Sequence, residues 1–494
     1  MKRYSFLLAC LALLGSAGKG FAQNEVDVLR YSRTDFGGTA RTMGFGGANV
    51  ALGGDATSIH SNPAGLGLFR RSEITVSAGI NFNEINSEVY GTSAMNSRNN
   101  LNIPSFTAVF SNRKADEDEG DWRGGSFGVS FNRINNFNRN LFYQGTAPEM
   151  GMRLGEYAAQ RANAVGLTSN SIQELAFETY LIDEDDLGYF SPNLSVTNPF
   201  QETIQSSGAQ NQWDFSYGAS YRDKIFVGAS LGLTTLRYKH IRRYSETNPA
   251  SDISDLTLRD ELLTEGSGIN LKVGAIFRPS DALRLGFSFQ TPTWHTLNDR
   301  YSTSLAVNFT QEPDAGASLN QYWDTDLGEY EYSLTTPLRA NGGAAVFFGK
   351  NGFITADVEY VDYSNGKLNA NDYAFPNENM TTRNTYQSAL NYRLGGEARL
   401  DVFRLRAGYA LYGDPFRDSE INQAKTFLTG GIGLRQENYF IDAAIVFSKY
   451  NSVYSPYSNA EINDPNSEYY NLTTPVVTSK NENTNFLVTF GWNF

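Results

Sequence analysis

Glu73-Ile74-Thr75-Val76-Ser77-Ala78-Gly79-Ile80-Asn81-Phe82 is the stretch that decides the fold. Ile74, Val76, Ala78, Ile80 and Phe82 take every second position, so a strand here has one apolar and one polar face. The same period returns at Ile225, Val227, Ala229, Leu231 and Leu233, at Leu283, Leu285, Phe287 and Phe289, and at Ile354, Ala356, Val358 and Tyr360. In Phe403, Leu405, Ala407, Tyr409 and Leu411 the apolar face encloses Arg404 and Arg406, and the Ile354 stretch carries Asp357 and Glu359 on its other face. A charge turned into a dry core costs several kcal/mol, roughly, while one facing water costs little. The second face is therefore wet. That excludes a β-sandwich and predicts a closed barrel with an oily outside and a watery lumen.

Composition agrees. Aromatic residues make up 13% of the 494 residues, with 28 Tyr, 33 Phe and 46 Gly, yet mean hydropathy is −0.40. Lys2 and Arg3, the apolar run Phe6 to Leu14 and the small-residue site Gly20-Phe21-Ala22 predict a removed signal peptide over residues 1–22. Cys10 follows Leu7-Leu8-Ala9 as in a lipidation box, but the apolar run continues past it, which places it inside the leader's core. With it gone the mature chain has no cysteine, hence no disulfide, thiolate nucleophile or cysteine metal site. The formal charge of −13 argues against nucleic acid as partner. No run of about 18 apolar residues follows the leader, so a membrane helix is not expected.

Fourteen strands are expected, near 72–90, 100–112, 123–137, 211–222, 224–245, 266–278, 281–297, 336–349, 351–363, 388–400, 402–413, 424–436, 438–450 and 483–494. From the second strand on, short connections such as Arg222-Asp223, Pro279-Ser280, Lys350-Asn351, Asp401 and Glu437 alternate with long ones, as periplasmic turns alternate with outer loops. The exception is the acidic connection Asp116 to Asp121, read as solvated. The longest loop, 138–210, predicts two short helices: one from the spacing of Leu154, Tyr157, Ala158 and Val165 ending at Gly166, and one opened by the Ser171/Glu174 capping pattern. The chain ends Phe486, Val488, Phe490, Trp492, Phe494 on one face, a pattern similar to the signal read by the outer-membrane barrel assembly machinery.

Several motifs carry little. Gly228-Ala229-Ser230-Leu231-Gly232 matches the serine-hydrolase elbow, but the elbow needs a strand-to-helix turn and these residues sit inside an alternating strand. His60, His240 and His295 lack ligand spacing. Neither a phosphate loop nor a dinucleotide fingerprint is complete, so no cofactor is expected. Residues 24–68, in contrast, contain no strand-length alternation and are rich in Gly and Ala from Ala48 to Gly67. A barrel of this width must be blocked or it leaks. Residues 23–70 are thus expected to form a plug in the lumen, with 71–494 as the wall.

Ala51-Leu52-Gly53, Asp55-Ala56, Asn62-Pro63-Ala64-Gly65-Leu66, Thr336-Pro337-Leu338-Arg339, Asp357 to Ser364 and Arg406-Ala407-Gly408-Tyr409 together resemble the FadL/TodX type of outer-membrane transporter. The resemblance implies a monomeric fourteen-stranded barrel in the outer membrane of a Gram-negative bacterium. It further implies a plug carrying Asn62, Pro63, Ala64 and Gly65, and passive uptake of a hydrophobic compound such as a long-chain fatty acid. Release would be sideways into outer-membrane lipid through a gap made by a kink in the third strand, where Gly124, Gly125 and Gly128 are the candidates. Phe36, Phe45 and Phe69 are candidate ligand-lining residues by position. The alternatives are a receptor for another hydrophobic ligand such as haem, which the absence of a His pair near the loops disfavours, and a barrel hydrolase using Ser230.

Overall fold

The computed structural model describes residues 24–114, 120–148, 151–192, 198–247, 252–417, 421–457 and 472–494. The leader expected at 1–22 and residues Asp116 to Glu119 lie outside them. Fourteen antiparallel strands close into a barrel. They are β1 (Glu73–Val89), β2 (Thr92–Arg113), β3 (Trp122–Asn136, continued by Arg139–Ala147), β4 (Asn198–Tyr221), β5 (Ile225–Thr247), β6 (Ile253–Ser280) and β7 (Leu283–Gln290, continued by Trp294–Phe309). The second half comprises β8 (Gly328–Thr335, continued by Arg339–Phe347), β9 (Gly352–Asp362), β10 (Ser388–Leu400), β11 (Phe403–Tyr412), β12 (Lys425–Arg435), β13 (Tyr439–Tyr454) and β14 (Val477–Asn493). β14 pairs with β1 from Glu73↔Asn493 to Glu88↔Thr478, which removes the sheet edge.

Burial alternates along each strand as a lipid-facing wall requires. On β6, Ile269, Leu271, Val273 and Phe277 are exposed on the outside, whereas higher up the outward Glu265 is paired with Arg237 at 2.9 Å and Arg300 at 2.8 Å. Apolar surface meets lipid below, and charge meets water above. β4, β5 and β6 run 24, 23 and 28 residues, well beyond the ~10 that cross a bilayer, so the barrel projects outward.

The strands differ from expectation in that outer half. β2 begins at Thr92 instead of 100, after a two-residue turn with positive φ at both Tyr90 and Gly91, the geometry of a tight hairpin. The long loop shrinks to 148–197, because β3 reaches Ala147 and β4 starts at Asn198. Within it lie α4 (Leu154–Val165), ending at Gly166, and α5 (Ile172–Glu178), whose N-cap Ser171 accepts from the Glu174 N–H. The helices pack in an apolar cluster with Tyr143, Phe200, Tyr244, Leu256 and Val307 over the outer end.

Residues 24–70 run inside the wall as α1 (Glu25–Ser32), α2 (Ala40–Gly44), α3 (Ser58–Ser61) and a 3-10 helix (Pro63–Leu68). α1 lies in the outer half, where Val28 and Tyr31 pack with Leu236, Tyr238, Leu297 and Tyr332, and the Tyr386 hydroxyl donates to the Glu25 carbonyl. The 3-10 helix lies low, against β4, β5 and β6.

Candidate functional site

The seat of the N-terminal segment is built from glycine. Gly218, Gly228 and Gly274 face one another across β4, β5 and β6, and a Cβ on any of them would collide with Asn62 or Pro63. The dent they leave admits the Asn62-Pro63 backbone against the wall. Asn62 is buried; its Oδ1 caps the 3-10 helix by accepting from the Ala64 N–H at 3.2 Å, and its Nδ2 donates to the Val50 carbonyl at 2.7 Å and the Ala275 carbonyl at 3.2 Å. Pro63 takes the first helical position, where its missing N–H costs nothing. Gly65 stacks on Gly53 and Ser58 with no room for a side chain.

Charge ties the segment to the far side. Arg41 pairs with Asp55 of the same segment at 3.4 Å and with Glu397 of β10 at 3.1 Å. Arg406, fully buried, pairs with Glu397 at 2.9 Å and Asp442 at 2.7 Å. Burial would push the Asp55 carboxyl up, but Arg41 and the Thr57 N–H outweigh it and hold it below its ordinary value. Asp357 of β9 accepts the Val50 N–H at 2.9 Å.

Between the α1–α2 linker and the wall lies a small, partly open cavity of about 80 Å³. Phe36, Ile134 and Tyr412 give it an apolar side. Elsewhere its lining is polar: Gln210, Gln212, Lys272, Arg339, Glu359 and Arg393. Arg339 pairs with Glu359 at 2.9 Å, and Arg393 donates to Asn341 at 2.8 Å and to the Tyr412 hydroxyl at 3.3 Å. His60 contacts Asp214 at 3.1 Å. Burial lowers the affinity of the His60 imidazole for a proton and Lys272 adds to this, so His60 titrates below its ordinary value although Asp214 opposes the shift.

The wall is interrupted beside this cavity. β2 and β3 pair only from Arg113↔Gly124 to Ser105↔Asn132. Beyond Ser105, β2 stays paired to β1 while β3 stays paired to β4, so the break lies between β2 and β3 alone. Pro104, which has no N–H to give, lies one residue past the last rung, where the β1–β2 register also shifts. β3 shifts register between Arg133 and Asn135, and Phe137 turns inward to pack edge-on against Tyr31 and Tyr238. Past this bend β3 runs inside the barrel, since the inward Ser87 hydroxyl of β1 donates to the Phe142 carbonyl. On the exposed face of β2 here, Leu101 and Ile103 are 81% and 57% accessible, so the break starts within the apolar belt.

Solved structures share this architecture. A Pseudomonas aeruginosa FadL homologue superposes with a TM-score of 0.56 at 12% identity, over 94% of this chain and 99% of its own. The fold is that of the FadL and TodX channels. The Pseudomonas putida toluene transporter TodX gives 0.54 at 14% identity over 93% and 99%, and the Ralstonia pickettii toluene transporter TbuX 0.51 at 14% over the same shares. No protein-family model matches the chain, and no curated protein sequence matches it.

Within this FadL-like fold the sequence candidates separate. Gly124, Gly125 and Gly128 are paired with Arg113, Asn112 and Val109, below the break. Gly124, at φ +115°, marks a register shift at the inner end, and Gly128 leaves room for Ile59. Phe36 lines the cavity; Phe45 is packed against Phe353, and Phe69 against Ile59, Leu66 and Val109, both away from it. Ser230 hydrogen-bonds Ser216 at 2.7 Å in mid-strand. The histidines have separate partners: His240 meets Tyr238 and His295 meets Thr234. Lys272, Arg339, Glu359 and Arg393 were not singled out for the site, because only the barrel's closure brings their strands to one cavity. Pro104 was the readable signal of the break, a proline inside an alternating strand.

Proposed function

We propose that the chain is a passive outer-membrane channel for hydrophobic compounds such as long-chain fatty acids. A ligand would be captured at the outer loops, held in the cavity against residues 24–70 acting as a plug, and released sideways between β2 and β3. The observation that carries this reading is the ladder break inside the apolar belt. A path that opens into lipid suits a cargo leaving by partition, and no nucleotide or catalytic step is needed. The toluene transporters among the similar structures support a hydrophobic cargo. The C-terminal aromatic strand supports recognition by the barrel assembly machinery, and a wall closed on itself supports a monomer. The experiment is planar-bilayer conductance together with uptake of a labelled fatty acid. The intact chain is expected to take up the label while passing almost no ions, and the chain lacking residues 24–70 to conduct strongly. Equal conductance of the two forms would overturn the plug, and no uptake by the intact chain would overturn the channel.

A further inference from the structure

We infer that the outward face of the wall from β3 to β6 binds a phosphorylated glycolipid of the outer leaflet, one whose negative charges are stacked over depth. Register fixes the height of this face. Trp213 of β4, Leu233 of β5, Ile269 of β6 and Trp294 of β7 form one outward row, and all four are exposed. Tryptophans on the outside of a barrel mark the boundary between hydrocarbon and headgroups. One outward step toward the loops stands Arg133 of β3, which donates to Asn211 of β4 at 3.2 Å. Higher still come Arg237, Lys239 and Arg243 along β5, with Arg259 of β6 directly opposite Arg243. Strand rise and tilt spread Arg237 to Arg243 over roughly 15 Å of height.

The acids of this face leave it cationic. Glu265 is shared between Arg237 and Arg300, and Glu261 is taken by Arg259, while on β8 Glu329 stands across from Arg300 and closes the surface on that side. Arg133, Lys239 and Arg243 have no acid partner among the described residues. Like charges directly opposite on neighbouring strands repel, so the Arg243/Arg259 pair costs stability until an anion lies between them. The surplus is local. In a chain of net charge −13, the outward charges in the upper parts of β13, β14 and β1 are Lys449, Lys480, Glu482, Glu84 and Glu88, an acidic balance. A phospholipid carries its phosphate in one layer and meets one level of this stripe. An acylated, phosphorylated disaccharide with acidic sugars above it meets every level, and Thr203, Gln205 and Ser207 on the outward face of β4, opposite Arg243, Ile241 and Lys239, offer hydrogen bonds to its hydroxyls.

The test is equilibrium binding of three lipids to the full chain in a zwitterionic detergent: deep-rough lipopolysaccharide, the same lipid dephosphorylated, and dimyristoylphosphatidylglycerol. Two ion pairs at a wet surface correspond to roughly tenfold in affinity. The phosphorylated glycolipid is expected to bind about that much more tightly than either of the others. A K239Q/R243Q variant is expected to lose about tenfold for it, whereas K449Q/K480Q, which removes the same charge from the other side of the barrel, should bind as the parent does. Equal binding of the dephosphorylated lipid overturns the inference, and phosphatidylglycerol binding as tightly overturns the glycolipid. An equal loss in the two variants overturns the site. The comparison of lipids on the unaltered chain decides the matter even where a variant does not fold.

Discussion

The two sides of the inner wall differ in chemistry. From β4 to β13 it is charged: Asp214, Lys272, Arg284, Arg339, Asp357, Glu397 and Lys425 each bond a residue of the N-terminal segment. On β14, β1, β2 and β3 the described side-chain bonds to the segment come from neutral groups: Thr489 to Ala40, Ser105 to Gly38, Ser111 to Phe69, and Asn135 to Arg30 and Arg33. Buried ion pairs are costly to disrupt, because removing one partner strands the other. Neutral amides exchange partners at far lower cost. Under the proposed function, the charged arc would anchor the segment and the neutral arc would be the side by which cargo leaves.

The largest effect that can break this assignment comes from the centre of the charged arc. Arg406→Met leaves Glu397 with Arg41 and Arg399, and Asp442 with Arg435 alone; a loss of about 3–5 kcal/mol in denaturant unfolding is expected. A loss below ~1 kcal/mol would mean that the ion network does not anchor the segment. Next comes the glycine dent. Gly228→Ala pushes a methyl into Pro63, at a cost of about 1–3 kcal/mol, and should raise ion leakage across a bilayer. A variant as tight and stable as the parent would show that the segment is not seated there.

On the neutral arc the sign should reverse. Asn81→Leu with Asn83→Leu removes unpartnered buried acceptors, so stability should hold or rise by up to about 1 kcal/mol. A fall of more than ~2 kcal/mol would make these amides structural and erase the contrast. The smallest effect is that of pH. Burial keeps His60 neutral when the segment is seated, with its proton affinity below the ordinary value of 6.5. A released segment therefore takes up the proton first as pH falls through 6.5, so seating weakens from neutral toward acid pH and strengthens in the reverse direction. Hydrogen exchange in residues 56–66 should quicken over that range, and a His60→Asn variant should be flat.

Much of this was legible in the chain. Where lipid lies outside and water inside, the strands alternate, as at Ile74 to Phe82, and their number follows. Above the belt both faces are wet, so Thr92 to Asn100 and Asn198 to Gln210 show no such period and their strands were read too short. The glycine dent is invisible in sequence because Gly218, Gly228 and Gly274 align only through register. Gly124, Gly125 and Gly128 are the flexible candidates for the bend in β3, but it arises where the ladder stops at Ser105, next to Pro104, and Phe137 is drawn toward Tyr31. Flexibility at glycine is a permission; a missing donor and an apolar partner are causes.

The most direct test closes the break. Asn100 and Asn136 touch across it, and the single cysteine of the sequence, Cys10, falls in the expected leader, so cysteines at 100 and 136 can be bridged selectively. The bridged channel is expected to bind labelled ligand as the parent does, yet lose at least about tenfold in uptake rate, with recovery on reduction. Uptake at the same rate in bridged and reduced forms would contradict lateral release between β2 and β3.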